Sequence, residues 1–159
     1  MHTDYALRPL LEIVKKYRHH ARSIVFSNGV FDLLHRGHVE YLAKAKALGD
    51  VLIVGVNDDA SARRLKGDRR PILPESDRAF IVHNLKPVDH VVLFFEDTPA
   101  RLIEAITPDV LVKGADYQLH EIVGHDFVLA AGGRVERIAL TPNSATTDLI
   151  ERILERYRI

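Results

Sequence analysis

Ser27-Asn28-Gly29-Val30-Phe31-Asp32-Leu33-Leu34-His35-Arg36-Gly37-His38 joins the apolar run Ser23-Ile24-Val25-Phe26 to a stretch of helical spacing. An apolar run that gives way to polar residues and glycine and then opens a helix is the start of a β-α unit. The new helix offers unpaired N–H groups and the positive end of its dipole to an anion. Gly29 reads as the residue that lets the backbone turn tightly. His35 and His38 stand three apart, neighbours on one helical face. The segment therefore reads as a phosphate site built at the end of the first strand.

The rest of the chain repeats that alternation, which predicts an α/β fold: a single-domain, doubly wound, five-stranded parallel sheet. Strands are expected at Ser23 to Ser27, Val51 to Val56, Val88 to Phe94, Val110 to Lys113 and Val135 to Leu140, all so apolar that both sheet faces should be buried. Helices are expected at Tyr5 to Tyr17, Gly37 to Leu48, Glu75 to Leu85, Pro99 to Ile106, Leu119 to Ala131 and Thr146 to Tyr157, several closed by glycine or proline. Thr141-Pro142-Asn143-Ser144 supplies hydroxyls and an amide suited to the start of the last helix. Gly132-Gly133 precedes a strand, so it reads as a turn. No linker or repeat divides the chain: 1–159 is read as one domain, with helices inside 1–20 and 144–159. In such sheets ligands sit beyond the carboxyl ends of the strands where the strand order reverses, and the histidine motif falls there.

Composition narrows the function. With 159 residues the chain can bury about two-thirds of its unfolded surface. It has no cysteine, which removes disulfides, thiolate metal sites and cysteine nucleophiles. Basic and acidic residues both number 22, giving no general field to attract nucleic acid. No signal-like or membrane-length apolar segment is read, so a cytoplasmic protein without a membrane partner is expected. Two helical histidines fall short of a zinc ligand set, and the Gly-x-Gly-x-x-Gly turn of dinucleotide-dependent oxidoreductases is absent. The run from Asn57 to Ile72 carries a net charge of +2 and reads as an exposed loop after the second strand, open between plain solvation and anion binding. His2, His19, His20, His83, His90, His120 and His125 have no motif around them, and surface or helix-end positions account for them.

Asn28-Gly29-Val30-Phe31-Asp32 followed by His35-Arg36-Gly37-His38 resembles the HxGH signature of the cytidylyltransferase-like nucleotidyltransferases. Thr141 to Thr147 resembles a diverged second motif, with Thr146-Thr147 retained, Ala145 where serine is usual and Ser144 where isoleucine is usual. Across nearly the whole chain, including Asp77-Arg78, Glu96 to Ile103 and Pro108 to Tyr117, the sequence resembles bacterial D-glycero-β-D-manno-heptose 1-phosphate adenylyltransferases; Ala115 stands where they carry glycine. Relatives are often fused to a sugar kinase, and this chain is expected to be the stand-alone form.

The resemblance implies transfer of AMP from ATP, with Mg²⁺ carried by the nucleotide, to heptose 1-phosphate. It implies His35, His38, Lys66 and Arg78 as catalytic phosphate contacts. Asn28, Gly29, Val30, Phe31, Asp32, Gly37, Lys113, Gly114, Asp116, Thr146 and Thr147 are implied around the nucleotide, and Asn57, Asp59, Lys66 and Arg70 around the sugar phosphate. A homodimer is implied as well. Rival readings stay open: a cytidylyltransferase for glycerol 3-phosphate or another phospho-alcohol, a pantetheine-phosphate or nicotinate-mononucleotide adenylyltransferase, and a non-catalytic nucleotide sensor.

Overall fold

A computed structural model describes residues 5–142 and 145–157, so Asn143, Ser144 and His2 lie outside the described residues. In chain order the elements are α1 (Leu7–His19), β1 (Ile24–Gly29), α2 (Arg36–Lys46), β2 (Val51–Asn57), α3 (Asp59–Lys66), α4 (Glu75–His83), β3 (His90–Phe94), α5 (Ala100–Ile106), β4 (Val110–Gly114), a 3₁₀ turn (Leu119–Glu121), α6 (His125–Ala130), β5 (Arg134–Ile138) and α7 (Thr146–Arg156). All five strands are parallel in the order β3-β2-β1-β4-β5. The order reverses between β1 and β4, and a ligand crevice is expected at such a reversal, here at the strand ends beside Asn28 and Gly29.

Alternate strand residues build the two core layers, because side chains on a strand point to opposite faces. Val25, Leu52, Val54, Val110 and Val112 pack with Tyr41, Leu42 and Ala45 of α2 and Ala79 and Val82 of α4. Ile24, Phe26, Ile53 and Leu111 pack with Leu10 and Val14 of α1, Leu102, Ile103 and Ile106 of α5 and Val128 of α6. Burying both faces of β1, β2 and β4 makes this central wedge rigid, and the site hangs from its carboxyl end.

Four features depart from the sequence reading. The basic segment after β2 is not a loop throughout: Asp58 accepts the Ser61 amide at 2.7 Å and caps α3, a helix short enough for its charged face to hide its period. The helix expected over Leu119 to Ala131 is broken at Gly124, whose φ of +88° is a left-handed conformation. Edge strand β5 is only partly covered, so the expectation of two buried faces fails there. His90 is no surface residue: it is half-buried at the start of β3, with Nε2 2.9 Å from the Tyr17 hydroxyl.

Candidate active site

The turn after β1 is not made by its glycine. Phe31 takes the left-handed conformation, with φ +49°, and Gly29 makes room for it: a Cβ at Gly29 would stand 3.1 Å from the Phe31 ring. Gly29 is thus required for close packing rather than for its own φ. The Phe31 ring is buried and lies with its centroid 5.4 Å from that of His38, backing the imidazole.

His35 is the N-cap residue of α2, in extended conformation, and its carbonyl receives the His38 amide at 3.0 Å. The two imidazoles stack, with centroids 3.9 Å apart and planes inclined by 28°. Both Nδ1 atoms are enclosed without a hydrogen-bond partner among the described residues, which leaves Nε2 as the nitrogen of each ring that can meet a ligand. Burial lowers the pKa of His38 to about 4, helped by the neighbouring His35. Burial lowers His35 too, against the pull of the Asp148 carboxylate on α7. Neutral imidazoles at neutral pH replace the cationic pair a phosphate motif suggests, so the positive field here comes from the α2 N-terminus.

Asp32 and Arg78 hold the loop instead of facing a ligand. Asp32 is 2% exposed; its Oδ1 accepts the Ile72 and Leu73 amides at 2.8 and 3.0 Å and its Oδ2 the Arg70 guanidinium at 2.5 Å. Burial opposes its charge, but the amides and Arg70 outweigh that and hold the carboxyl below the usual range. Arg78, fully buried, donates to the carbonyls of Leu73 and Val30 at 3.0 and 2.5 Å and to Asp59 at 2.7 Å. Arg78, expected as a phosphate contact, has each of its three guanidinium nitrogens bonded inside the protein, tying the β1–α2 turn to the start of α3.

The expected sugar-phosphate group divides in the same way. Asn57 is buried and donates to the Ser61 hydroxyl at 3.1 Å, Asp59 accepts from Arg78, and Arg70 is bound to Asp32. Their side chains are spoken for by internal bonds. Lys66, at the exposed end of α3, has no hydrogen bond among the described residues.

From the other wall of the crevice, Lys113 at the end of β4 donates to the Asn28 carbonyl at 3.2 Å and lies 5.4 Å from the Tyr117 ring centroid. Gly114 follows, where a Cβ would fall 2.3 Å from Asp116 Oδ1. Above, Thr146 opens α7 and donates to the Leu33 carbonyl at 3.3 Å, while Asp148 accepts the Ala145 amide at 3.2 Å. Thr147 is exposed. The N-termini of α2 and α7 therefore converge on one loop, Leu33 to His35, and Thr141, bonded to Glu40 of α2 at 2.5 Å, fastens the approach to α7.

A family model described as Cytidylyltransferase-like matches residues 26–151. This chain belongs to the cytidylyltransferase-like family. Among curated proteins it is similar to the "Bifunctional protein HldE" of Syntrophotalea carbinolica, 53% identical over 96% of this chain and 30% of the relative. It is also similar to those of Halorhodospira halophila, 55% identical over 92% and 31%, and Helicobacter pylori strain Shi470, 52% identical over 95% and 32%. The chain thus spans about a third of the length of these curated relatives. Among solved structures, the lipopolysaccharide core biosynthesis protein from Thermoplasma volcanium GSS1 is similar, with a TM-score of 0.63, 32% identity and coverage of 76% of this chain and 97% of that one.

In this cytidylyltransferase-like chain the sequence reading missed three contributors. Tyr41 is buried, with its hydroxyl 2.8 Å from that of Ser27 and 3.1 Å from the Val112 carbonyl, pinning α2 across the β1–β4 junction. Its place in an apolar helix face gives no polar signal. Asp148 and Tyr117 reach the site only through the crossing of α7 and the β4 turn, which no local spacing encodes.

Proposed function

We propose that this chain is a nucleotidyltransferase that transfers AMP from ATP to D-glycero-β-D-manno-heptose 1-phosphate, giving ADP-heptose and pyrophosphate. The observation that carries the reading is the stacked His35–His38 pair at the start of α2, in the crevice where strand order reverses. The similarity to HldE proteins and to a lipopolysaccharide core biosynthesis protein supports the heptose substrate.

An oxygen of the sugar phosphate attacks the α-phosphorus, a new P–O bond forms, and the bond to the bridging oxygen of pyrophosphate breaks in line. A sugar phosphate, with a second pKa of about 6, is largely dianionic at neutral pH and needs no general base. The work left to the protein is electrostatic: the imidazole Nε2–H groups and the free amides of α2 are directed at oxygens that gain charge. A neutral imidazole suits that task, because it donates without a proton that must be managed. Lys66 supplies a mobile cation at the rim. Among the described residues no three carboxylates or histidines are arranged to hold a metal ion, and both Asp32 oxygens are occupied. Mg²⁺ is proposed to arrive on the triphosphate, where it would neutralise phosphate charge.

The chain is further proposed to act as a cytoplasmic homodimer. No helix among the described residues is long and apolar enough to cross a membrane. Among the described residues α7 buries none of its own, and Ile153, Leu154 and Tyr157 are exposed at 45%, 60% and 79%, apolar surface suited to covering by a second copy. Pyrophosphate release measured with ATP and CTP against heptose 1-phosphate and glycerol 3-phosphate tests the reading. Preference for ATP with the heptose is expected; preference for CTP, or tight ATP binding without pyrophosphate, overturns it.

A further inference from the structure

β1 and β4 part at one rung. Their pairing runs Val25 to Val110, Phe26 to Leu111 and Ser27 to Val112 and ends there, whereas β1 continues beside β2 to Gly29 opposite Val56 and β4 continues beside β5 to Gly114 opposite Ile138. The Tyr41 hydroxyl sits at that last rung. It lies 2.8 Å from the Ser27 hydroxyl and 3.1 Å from the Val112 carbonyl, so it touches both strands where they separate. A tyrosine has a single O–H, which here donates to the carbonyl while the oxygen accepts from the serine, and both roles are filled. Ser27 and Tyr41 are both buried.

We infer that the Ser27–Tyr41 hydroxyl pair is the positioning element of the transfer step: it fixes α2 on the fork between β1 and β4 and thereby sets where the His38 imidazole stands. Tyr41 lies three residues beyond His38 on α2, on the same helical face. His38 Nδ1 has no hydrogen-bond partner among the described residues, so the ring lacks the second bond that commonly orients a working histidine. Its place follows from the Phe31 and His35 rings beside it and from the helix that carries it. The other polar ties of α2 do not reach a strand: Arg36 bonds Glu40, Glu40 bonds Thr141 beyond β5, and Lys46 bonds Asp50 and Asp89 at the far end of the helix. Among the described residues Tyr41 is the one α2 side chain hydrogen-bonded to a strand. A misplacement of about 1 Å in a reacting group can cost roughly 100-fold in rate, so a helix free to shift on the fork would lose turnover while still binding substrate. The inference rests on the nucleotidyltransferase reading and adds to it a pair of residues that act through His38.

Steady-state pyrophosphate release by the chain, with magnesium ATP and heptose 1-phosphate each varied, tests this in the wild type, Y41F, S27A, H38A and Y41F/H38A. Phenylalanine keeps the packed ring and removes only the bridge. Y41F is expected to fold, to melt a few degrees lower, and to lose roughly 10-fold in kcat with KM for either substrate little changed. S27A leaves the bond to Val112 in place and is expected to lose less. Because the hydroxyl acts through His38, the loss caused by Y41F is expected to vanish in the H38A background. A lowered melting temperature with unchanged kcat in Y41F overturns the inference, as does a loss carried by KM or one repeated in full on H38A. Should Y41F fail to fold, S27A and S27A/H38A decide by the same pattern. Wild-type turnover matched by Y41F contradicts the inference alone, whereas a wild type that releases no pyrophosphate contradicts the nucleotidyltransferase reading and this inference with it.

Discussion

His35 and His38 stack at 3.9 Å between centroids, and each has one enclosed nitrogen without a hydrogen-bond partner among the described residues. Removing one ring therefore alters the packing and the accessible nitrogen of the other. Single alanine substitutions and the double variant should be strongly non-additive in turnover, the double losing little more than the worse single. Steady-state kinetics on the three variants checks this. Additive losses would mean two independent contacts.

The same burial sets a pH dependence of stability. The pKa of His38 is depressed from 6.5 to about 4 on folding, so the unfolded chain binds more protons between those values. Its contribution is complete above pH 6.5 and is lost as pH falls toward 4. Urea unfolding across that window should show a slope that flattens in H38Q. A slope unchanged in the variant would locate the acid sensitivity elsewhere.

Arg78 acts through Val30, Leu73 and Asp59. Replacing it by methionine takes the donor from two carbonyls and from the part-exposed Asp59 carboxylate, a loss of about 1–3 kcal/mol for each buried acceptor left unsatisfied. Chemical denaturation is the check. A variant of native stability that merely binds nucleotide poorly would return Arg78 to the phosphate site.

Gly114→Ala tests the β4 turn. A Cβ there stands 2.3 Å from Asp116 Oδ1 and 3.3 Å from Leu140, the free ends of exposed side chains that can rotate aside. Thermal melting of the alanine variant should therefore stay close to that of the wild type; a large drop would mean that the turn backbone itself is displaced.

The uncovered face of α7 predicts its own experiment. Light scattering is expected to report a dimer for the wild type and a monomer for the I153Q/L154Q variant. A wild-type monomer contradicts the dimer.

Much of this was legible because local and global signals agreed. Continuous Val, Ile and Leu runs fixed β1, β2 and β4, whose two faces are both buried. The Gly132-Gly133 turn was equally readable: Gly132 has φ +84°, and Gly133 sits against the carbonyls of Pro108 and Asp109. His38 lies on α2 and His35 caps it, and the burial that lowers their pKa values comes from Phe31 and the mutual stacking, tertiary packing that local spacing does not show. The internal bonds of Arg78 and Asp32 were not legible for one reason. A charged residue beside a motif looks like a ligand contact, and only three dimensions reveal the distant carbonyls and amides it serves.

Nucleotidyl transfer at the His35–His38 pair stands or falls with pyrophosphate release from ATP and heptose 1-phosphate by the wild type and H38A. The wild type should turn over, and H38A should lose about 10²–10³-fold with modest change in substrate affinity, as for removal of a transition-state donor. Undiminished turnover in a folded H38A would contradict it.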